Sequence, residues 1–441
     1  MQIPVKDLRE ALELVQPAVP KKATLPICMD ILLVDGQARA TNLEVMATVH
    51  LGQETGDPIL LPFALANEFL KRVPGNGILT LTQGKGSVIL ESGRSRAVLN
   101  DNQVVEEFPP VPEMEEPATA VLDGTVLVRG LMEAIAYTAK EESRPVLTSV
   151  CLALGDPVEV AAADGFRLAR LRLNASLPHH EGKRLLLPRG AVRMLAHLWK
   201  SAGAAPDMGL EASVADLATA KRLLRLEYDL GKHLARFTFG KVCLYTQLVE
   251  GTFPNYGPLI PTDLPQRASF MAGDMRQALD LVREVARGGS GIVRLSWEGE
   301  EMTVMATATE MGEVTAQVRL LVPCTAAGKI AIDVKYLAEY FKGQEGIVSM
   351  GVSSPSTPAL FTTAGMPDVV MMPMFVQWGE AVPQPEGKTE ASRRVGTEEG
   401  QAGVSGSPQD GDTEGPQSAV PSQEVNSAAK KPRARRTKKS A

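Results

Sequence analysis

Histidine, cysteine and aromatic residues are scarce in this 441-residue chain, which has five histidines, four cysteines and 5% aromatics. The cysteines, Cys28, Cys151, Cys243 and Cys324, are widely separated and form no C-x-x-C pair. That excludes the usual structural zinc site and dithiol redox motif, and predicts reduced, mostly buried thiols. His179-His180-Glu181 lacks the four-residue helical spacing of a zinc hydrolase, and His50, His197 and His233 are scattered. There is no G-x-S-x-G nucleophile elbow. In Gly84-Lys85-Gly86-Ser87 the lysine is not followed by Ser or Thr, and Leu79 takes the place of the earlier glycine of a phosphate loop, so a hairpin turn is expected. These absences predict neither catalysis, nor a metal, nor a cofactor. No apolar run approaches the roughly 18 residues of a bilayer span. Met1-Gln2-Ile3-Pro4-Val5-Lys6 also lacks the basic-then-apolar plan of a signal peptide. A cytoplasmic location without a membrane partner is expected.

What is present is uneven along the chain. From Pro383 to Ala441, Gly, Ser, Pro, Gln and Glu dominate, and such a segment buries too little apolar surface to offset the entropy of ordering. A disordered tail is expected over residues 381–441. It ends in seven basic residues between Lys430 and Lys439, a run that attracts phosphates or merely keeps the chain soluble. Up to Val382 there are 36 basic and 44 acidic residues, so any basic surface must be balanced by acids elsewhere.

The first 380 or so residues repeat, and repetition fixes architecture before local detail does. Helical periodicity recurs over residues 5–15, 128–136 and 275–282, with Leu8, Leu12 and Val15, or Met275, Leu279 and Val282, on one buried face. Lys6, Arg9, Arg129, Arg276 and Arg283 lie off that face, which predicts basic outer surfaces. Each helix precedes a hairpin, turning at Asp35-Gly36, Gly155-Asp156-Pro157 and Glu298-Gly299. A second helix then opens at Leu61-Pro62, Leu187-Pro188 and Ile332-Asp333, where Pro suits a first helical turn and Asp an N-cap. Leu8 to Leu131 is 123 residues and Leu131 to Met275 is 144, so the middle copy carries an insertion, placed near Ser201 to Thr219. The fold class is α+β: three tandem units, each with two helices packed on antiparallel sheets.

Asp164-Gly165-Phe166-Arg167-Leu168-Ala169, Phe253-Pro254-Asn255-Tyr256 with Leu259-Ile260-Pro261, and Val370-Met371-Met372-Pro373-Met374 together resemble the bacterial sliding-clamp family, the beta subunits of DNA polymerase III. Thr24-Leu25-Pro26-Ile27 and Arg144-Pro145-Val146-Leu147 extend the resemblance, which spans about residues 1 to 376. It implies clamp domains at 1–121, 122–262 and 263–380, and a head-to-tail homodimeric ring whose helices surround duplex DNA. A ring held by topology needs only weak, sequence-independent attraction to phosphates. Candidate DNA-facing residues are Lys6, Arg9, Lys22, Lys71, Arg72, Arg129, Lys140, Arg193, Lys200, Arg276, Arg283, Lys335 and Lys342.

The resemblance further implies a hydrophobic pocket between the second and third domains for short linear peptides of the replicative polymerase, the clamp loader and repair proteins. Its wall would comprise Leu147, Gly165, Phe166, Arg167, Leu168, Pro254, Leu259, Val370, Met371, Met372, Pro373 and Met374. Methionine suits a site that packs against several partners. Around the dimer interface, Ala97 and Leu99 of the first domain would meet Val285 and Ala286 of the third. Ala163, Pro258 and Phe375-Val376 depart from the family pattern and make the pocket more apolar than usual. A clamp paralogue with altered partners, and a non-ring DNA-binding scaffold of the same fold, fit the same residues.

Overall fold

A computed structural model describes residues 1–100, 103–141, 143–202 and 223–378. The expected tail with its basic end, and the insertion after Ser201 for all but its first residues, lie outside the described residues.

One order of ten elements occurs three times. The first copy runs β1 (Gln2–Pro4), α1 (Val5–Val15), β2 (Asp30–Val34), β3 (Gln37–Thr41), β4 (Val45–His50), β5 (Ile59–Pro62), α2 (Phe63–Arg72), β6 (Ile78–Gly84), β7 (Ser87–Ser92) and β8 (Ser95–Asn100). The second runs β9 (Ala118–Asp123), α3 (Gly124–Ala134), β10 (Ser149–Ala153), β11 (Glu159–Ala163), β12 (Arg167–Arg172), β13 (Arg184–Pro188), α4 (Arg189–Ser201), β14 (Leu223–Asp229), β15 (Leu234–Phe239) and β16 (Val242–Gln247). The third runs β17 (Gln266–Met271), α5 (Ala272–Gly288), β18 (Ile292–Glu298), β19 (Glu301–Ala308), β20 (Gly312–Arg319), β21 (Gly328–Asp333), α6 (Val334–Phe341), β22 (Ile347–Val352), β23 (Ala359–Thr362) and β24 (Asp368–Met371).

Local chemistry accounts for these elements. Leu8, Leu12 and Val15 on α1, and Met275, Leu279 and Val282 on α5, are buried as their spacing predicts. Asp35 and Gly36 both take positive φ, the requirement of a two-residue hairpin turn, and Lys85-Gly86 closes another hairpin rather than a phosphate loop. The Asp333 side chain accepts from the Lys335 N–H at 2.7 Å, as an N-cap should. Pro62 and Pro188 stand one residue earlier than expected, as the last strand residue before α2 and α4 rather than inside the helix. Within each copy the two helices pack together. Between α3 and α4 the contact needs Gly124, because a Cβ there would lie 2.1 Å from the Trp199 ring.

All strand pairs are antiparallel, and they build two sheets of eight strands and two of four. One large sheet has the order β5-β2-β3-β4-β16-β15-β14-β9, the other β13-β10-β11-β12-β24-β23-β22-β17. Each therefore joins two copies, through β4 to β16 in one and β12 to β24 in the other. By position in the repeat, β8 matches β16 and β24, while β20 matches β4 and β12. Among the described residues these two strands are instead open edges, of sheets β1-β6-β7-β8 and β20-β19-β18-β21.

Candidate functional site

The junction of β12 with β24 brings distant motifs together. Leu168 lies opposite Val370 in the ladder, and both join Leu147, Cys151, Leu186, Phe253 and Tyr256 in one small buried cluster. Burial pushes the Cys151 thiol up to about 12, leaving it inert. Thiol reagents at neutral pH should modify half-buried Cys324 first and spare Cys151 in the folded protein; equal labelling would contradict a packed floor. Around this floor stand exposed apolar groups: Leu259, Phe166, Pro254 and Met372, the last 46% exposed. The N–H of Met372 donates to the Phe166 carbonyl at 2.9 Å, which ties the chain after β24 to the turn before β12. That turn depends on Asp164, whose Oδ1 accepts from the N–H groups of Phe166 and Arg167, and on Gly165 with φ of 94°.

Two residues expected in the pocket wall are elsewhere. Met371 is fully buried in the main core, because alternation along β24 turns it away from Val370 and Met372. Arg167 is 4% exposed and is occupied inside the protein. It donates from Nε and Nη2 to Asp164 Oδ2 at 3.1 Å, pairs with Glu339 at 2.9 Å, and lies over the rings of Tyr336 and Tyr137 at 4.5 and 5.3 Å. It cross-links the second copy to the third, and burial there holds the Tyr137 hydroxyl well above its ordinary range. Pro373 and Met374 are half-buried, and Met374 donates its N–H to Ala331 of β21 at 2.8 Å.

The first junction has a matching cluster. Cys28, Leu32, Met46, Leu60, Phe108 and Tyr245 there correspond in repeat position to Leu147, Cys151, Leu168, Leu186, Phe253 and Val370. Tyr245 stands in place of a valine, and its hydroxyl accepts from Arg236, which is forked onto Glu227 at 2.6 and 2.7 Å. A ring locked by an ion pair fills the space, and the recess beside it measures about 80 Å³.

The expected DNA-facing cations divide into three groups. Arg9 and Arg276 are fifth in α1 and α5 and serve the fold: Arg9 donates to the carbonyls of Leu70 and Val73, Arg276 to those of Phe341 and Gln344, at the carboxyl ends of α2 and α6. Arg9→Met and Arg276→Met should each cost roughly 1.5–3 kcal/mol in urea unfolding. Unaltered stability would return that arginine to the set of expected DNA-facing cations. Lys71 and Arg72 pair with Glu68, Lys140 with Glu339, and Arg283 with Asp280 and Glu284. Lys6, Lys22, Arg129, Arg193, Lys200, Lys335 and Lys342 are exposed without an ion pair among the described residues.

Basic outer faces are thus not general. Lys6 shares the exposed face of α1 with Asp7, Glu10 and Glu13, whereas α4 presents Arg193, His197 and Lys200 with no acid of its own. The residues expected at a dimer interface are placed differently in part. Val285 and Ala286 continue the buried stripe of α5 and are covered by their own chain, so the open element on that side is β20. Leu99 faces inward on β8, Ala97 is half-buried, and the exposed residue between them is Val98.

These features have counterparts in known proteins. A model of the central domain of the DNA polymerase III beta subunit matches residues 125–255. The beta sliding clamp of Synechococcus elongatus is 26% identical over 385 residues, covering 84% of this chain and 97% of that one. The beta sliding clamp of Pseudomonas putida is 25% identical, covering 83% and 97%. A crystal structure of the DNA polymerase sliding clamp from Pseudomonas aeruginosa matches with a TM-score of 0.74 over 85% of this chain and 99% of that one, at 22% identity. With the threefold order of elements and the two shared sheets, these matches make the chain similar to the beta sliding clamps of DNA polymerase III over most of its length.

Proposed function

We propose that this protein is a sliding clamp, a non-catalytic ring that encircles duplex DNA in the cytoplasm and tethers the replicative polymerase and other partners to it. Its domains divide at residues 1–121, 122–262 and 263–380. The single observation carrying this reading is the pair of open edges. Two of the three junctions that the repeat calls for are made inside the chain, by β4 with β16 and by β12 with β24. The third requires β20 of one copy against β8 of another, and two such contacts between two copies close a ring. Unpaired backbone donors and acceptors along both strands supply the attraction.

Lys6, Lys22, Arg129, Arg193, Lys200, Lys335 and Lys342 remain the DNA-facing candidates, with α4 the most basic surface. Few unpaired cations among many acids fit a protein that must slide, since affinity and salt dependence grow with each neutralised phosphate. The floor of Leu147, Leu168 and Val370, rimmed by Leu259, Met372 and Phe166, suits an apolar side chain of a short partner peptide. Sedimentation equilibrium should give particles of two chains. A monomer at micromolar concentration would favour the alternative of a non-ring scaffold.

A further inference from the structure

Beside the candidate pocket, where the second and third copies meet, lies a cleft of about 480 Å³. Lys140, Arg144 and Lys335 line it, with Glu141 and the rings of Phe166 and Tyr336. Phe166 is exposed and stacks on Tyr336, centroids 5.9 Å apart, so one wall is an apolar surface open to solvent. The acids nearby are largely committed. Asp164 holds Arg167 and its own turn, and Glu339 serves both Arg167 and Lys140. Arg144 and Lys335 are exposed and have no ion-pair partner among the described residues. Among the described residues their charges therefore outweigh Glu141, the one remaining carboxylate of the lining.

We propose that this cleft receives an acidic side chain of the same partner peptide whose apolar residues enter the pocket. The inference rests on the peptide-pocket reading. Phe166, in the turn before β12, belongs to the cleft and Leu168, on β12, to the pocket floor, two residues apart in the chain. An extended peptide advances about 3.3 Å per residue, so an acid two or three positions from an apolar anchor reaches the cations. Within a concave wall the carboxylate is screened less than on open surface, and Arg144 offers it a forked pair of donors. The placement also moves Lys140 and Lys335 out of the DNA-facing set.

The test uses the full chain and three labelled peptides with one apolar core, flanked on both sides by Glu, Gln or Lys, read by fluorescence anisotropy at low salt. The Glu peptide should bind about tenfold more tightly than the Gln peptide, and the Lys peptide more weakly. Arg144→Glu with Lys335→Glu should reverse that order while thermal unfolding stays unchanged. Equal affinities of the three peptides for the parent protein would overturn the cleft and leave the pocket standing. Binding of none would overturn the pocket and the cleft with it. If the double variant keeps the peptide order but loses retention on DNA, the cations serve nucleic acid and the inference fails.

Discussion

Met372→Asp should lower the affinity for short apolar peptides by tenfold to a hundredfold or more, in a protein that still folds and pairs. Burying a Leu or Phe anchor contributes roughly 1.5–3 kcal/mol, and 1.4 kcal/mol is about a factor of ten. A carboxylate at the rim would have to be desolvated without a partner whenever the peptide docked, which adds to the loss. Met372 is the informative position because, at 46% exposure, a charge there keeps its water in the free protein. Leu168→Asp attacks the same contact from below, yet it buries a carboxylate within the chain's own floor and also threatens the fold. Isothermal titration with a peptide, beside a thermal melt, separates the two effects. A folded Met372→Asp protein with unchanged affinity would remove the pocket from the account.

Val98→Pro should abolish pairing of two chains while sparing each chain. Ser92 and Ser95 flank the two-residue turn between β7 and β8, which makes Leu90 with Ala97 and Val88 with Leu99 the hydrogen-bonded pairs. Val98 lies opposite Ile89 in a non-hydrogen-bonded pair, so its N–H points to the open edge. Proline is tolerated on that side of an edge strand, but it removes a donor and puts its ring where a neighbouring strand must come. The partner carbonyl left unmatched costs roughly 1–3 kcal/mol per junction, and over the two junctions of the ring the pairing weakens by about thirtyfold to more than ten-thousandfold. Sedimentation should show monomers with a nearly unchanged melting temperature. A persistent dimer would place the interface elsewhere than β8.

The repeat, the hairpin turns and the buried helix faces were legible because each depends on neighbours in sequence. Leu8, Leu12 and Val15 declare a helix face, and Asp35-Gly36 declares a turn, whatever packs against them. The roles of Arg9 and Arg276 are not legible in the sequence, because an arginine off the apolar stripe looks like solvent-facing charge. Its real partners are helix-end carbonyls more than sixty residues away. Arg167 is a similar case: Asp164, three residues before it, hinted at a local pair, but Glu339 and Tyr336 came from another copy. Two corrections needed no structure. The stripe Met275, Leu279, Val282 continues at helical spacing to Val285 and Ala286, and alternation sets Met371 opposite in sense to Val370 and Met372. In both places the period divides a contiguous motif between two faces.

The ring is the central claim, and its most direct measurement is retention on DNA. Two copies loaded on a closed circular duplex should remain through a salt challenge that strips ordinary phosphate binders, then leave when the circle is linearised. Loss from intact circles at the same salt concentration that removes the protein from linear duplex would contradict the account.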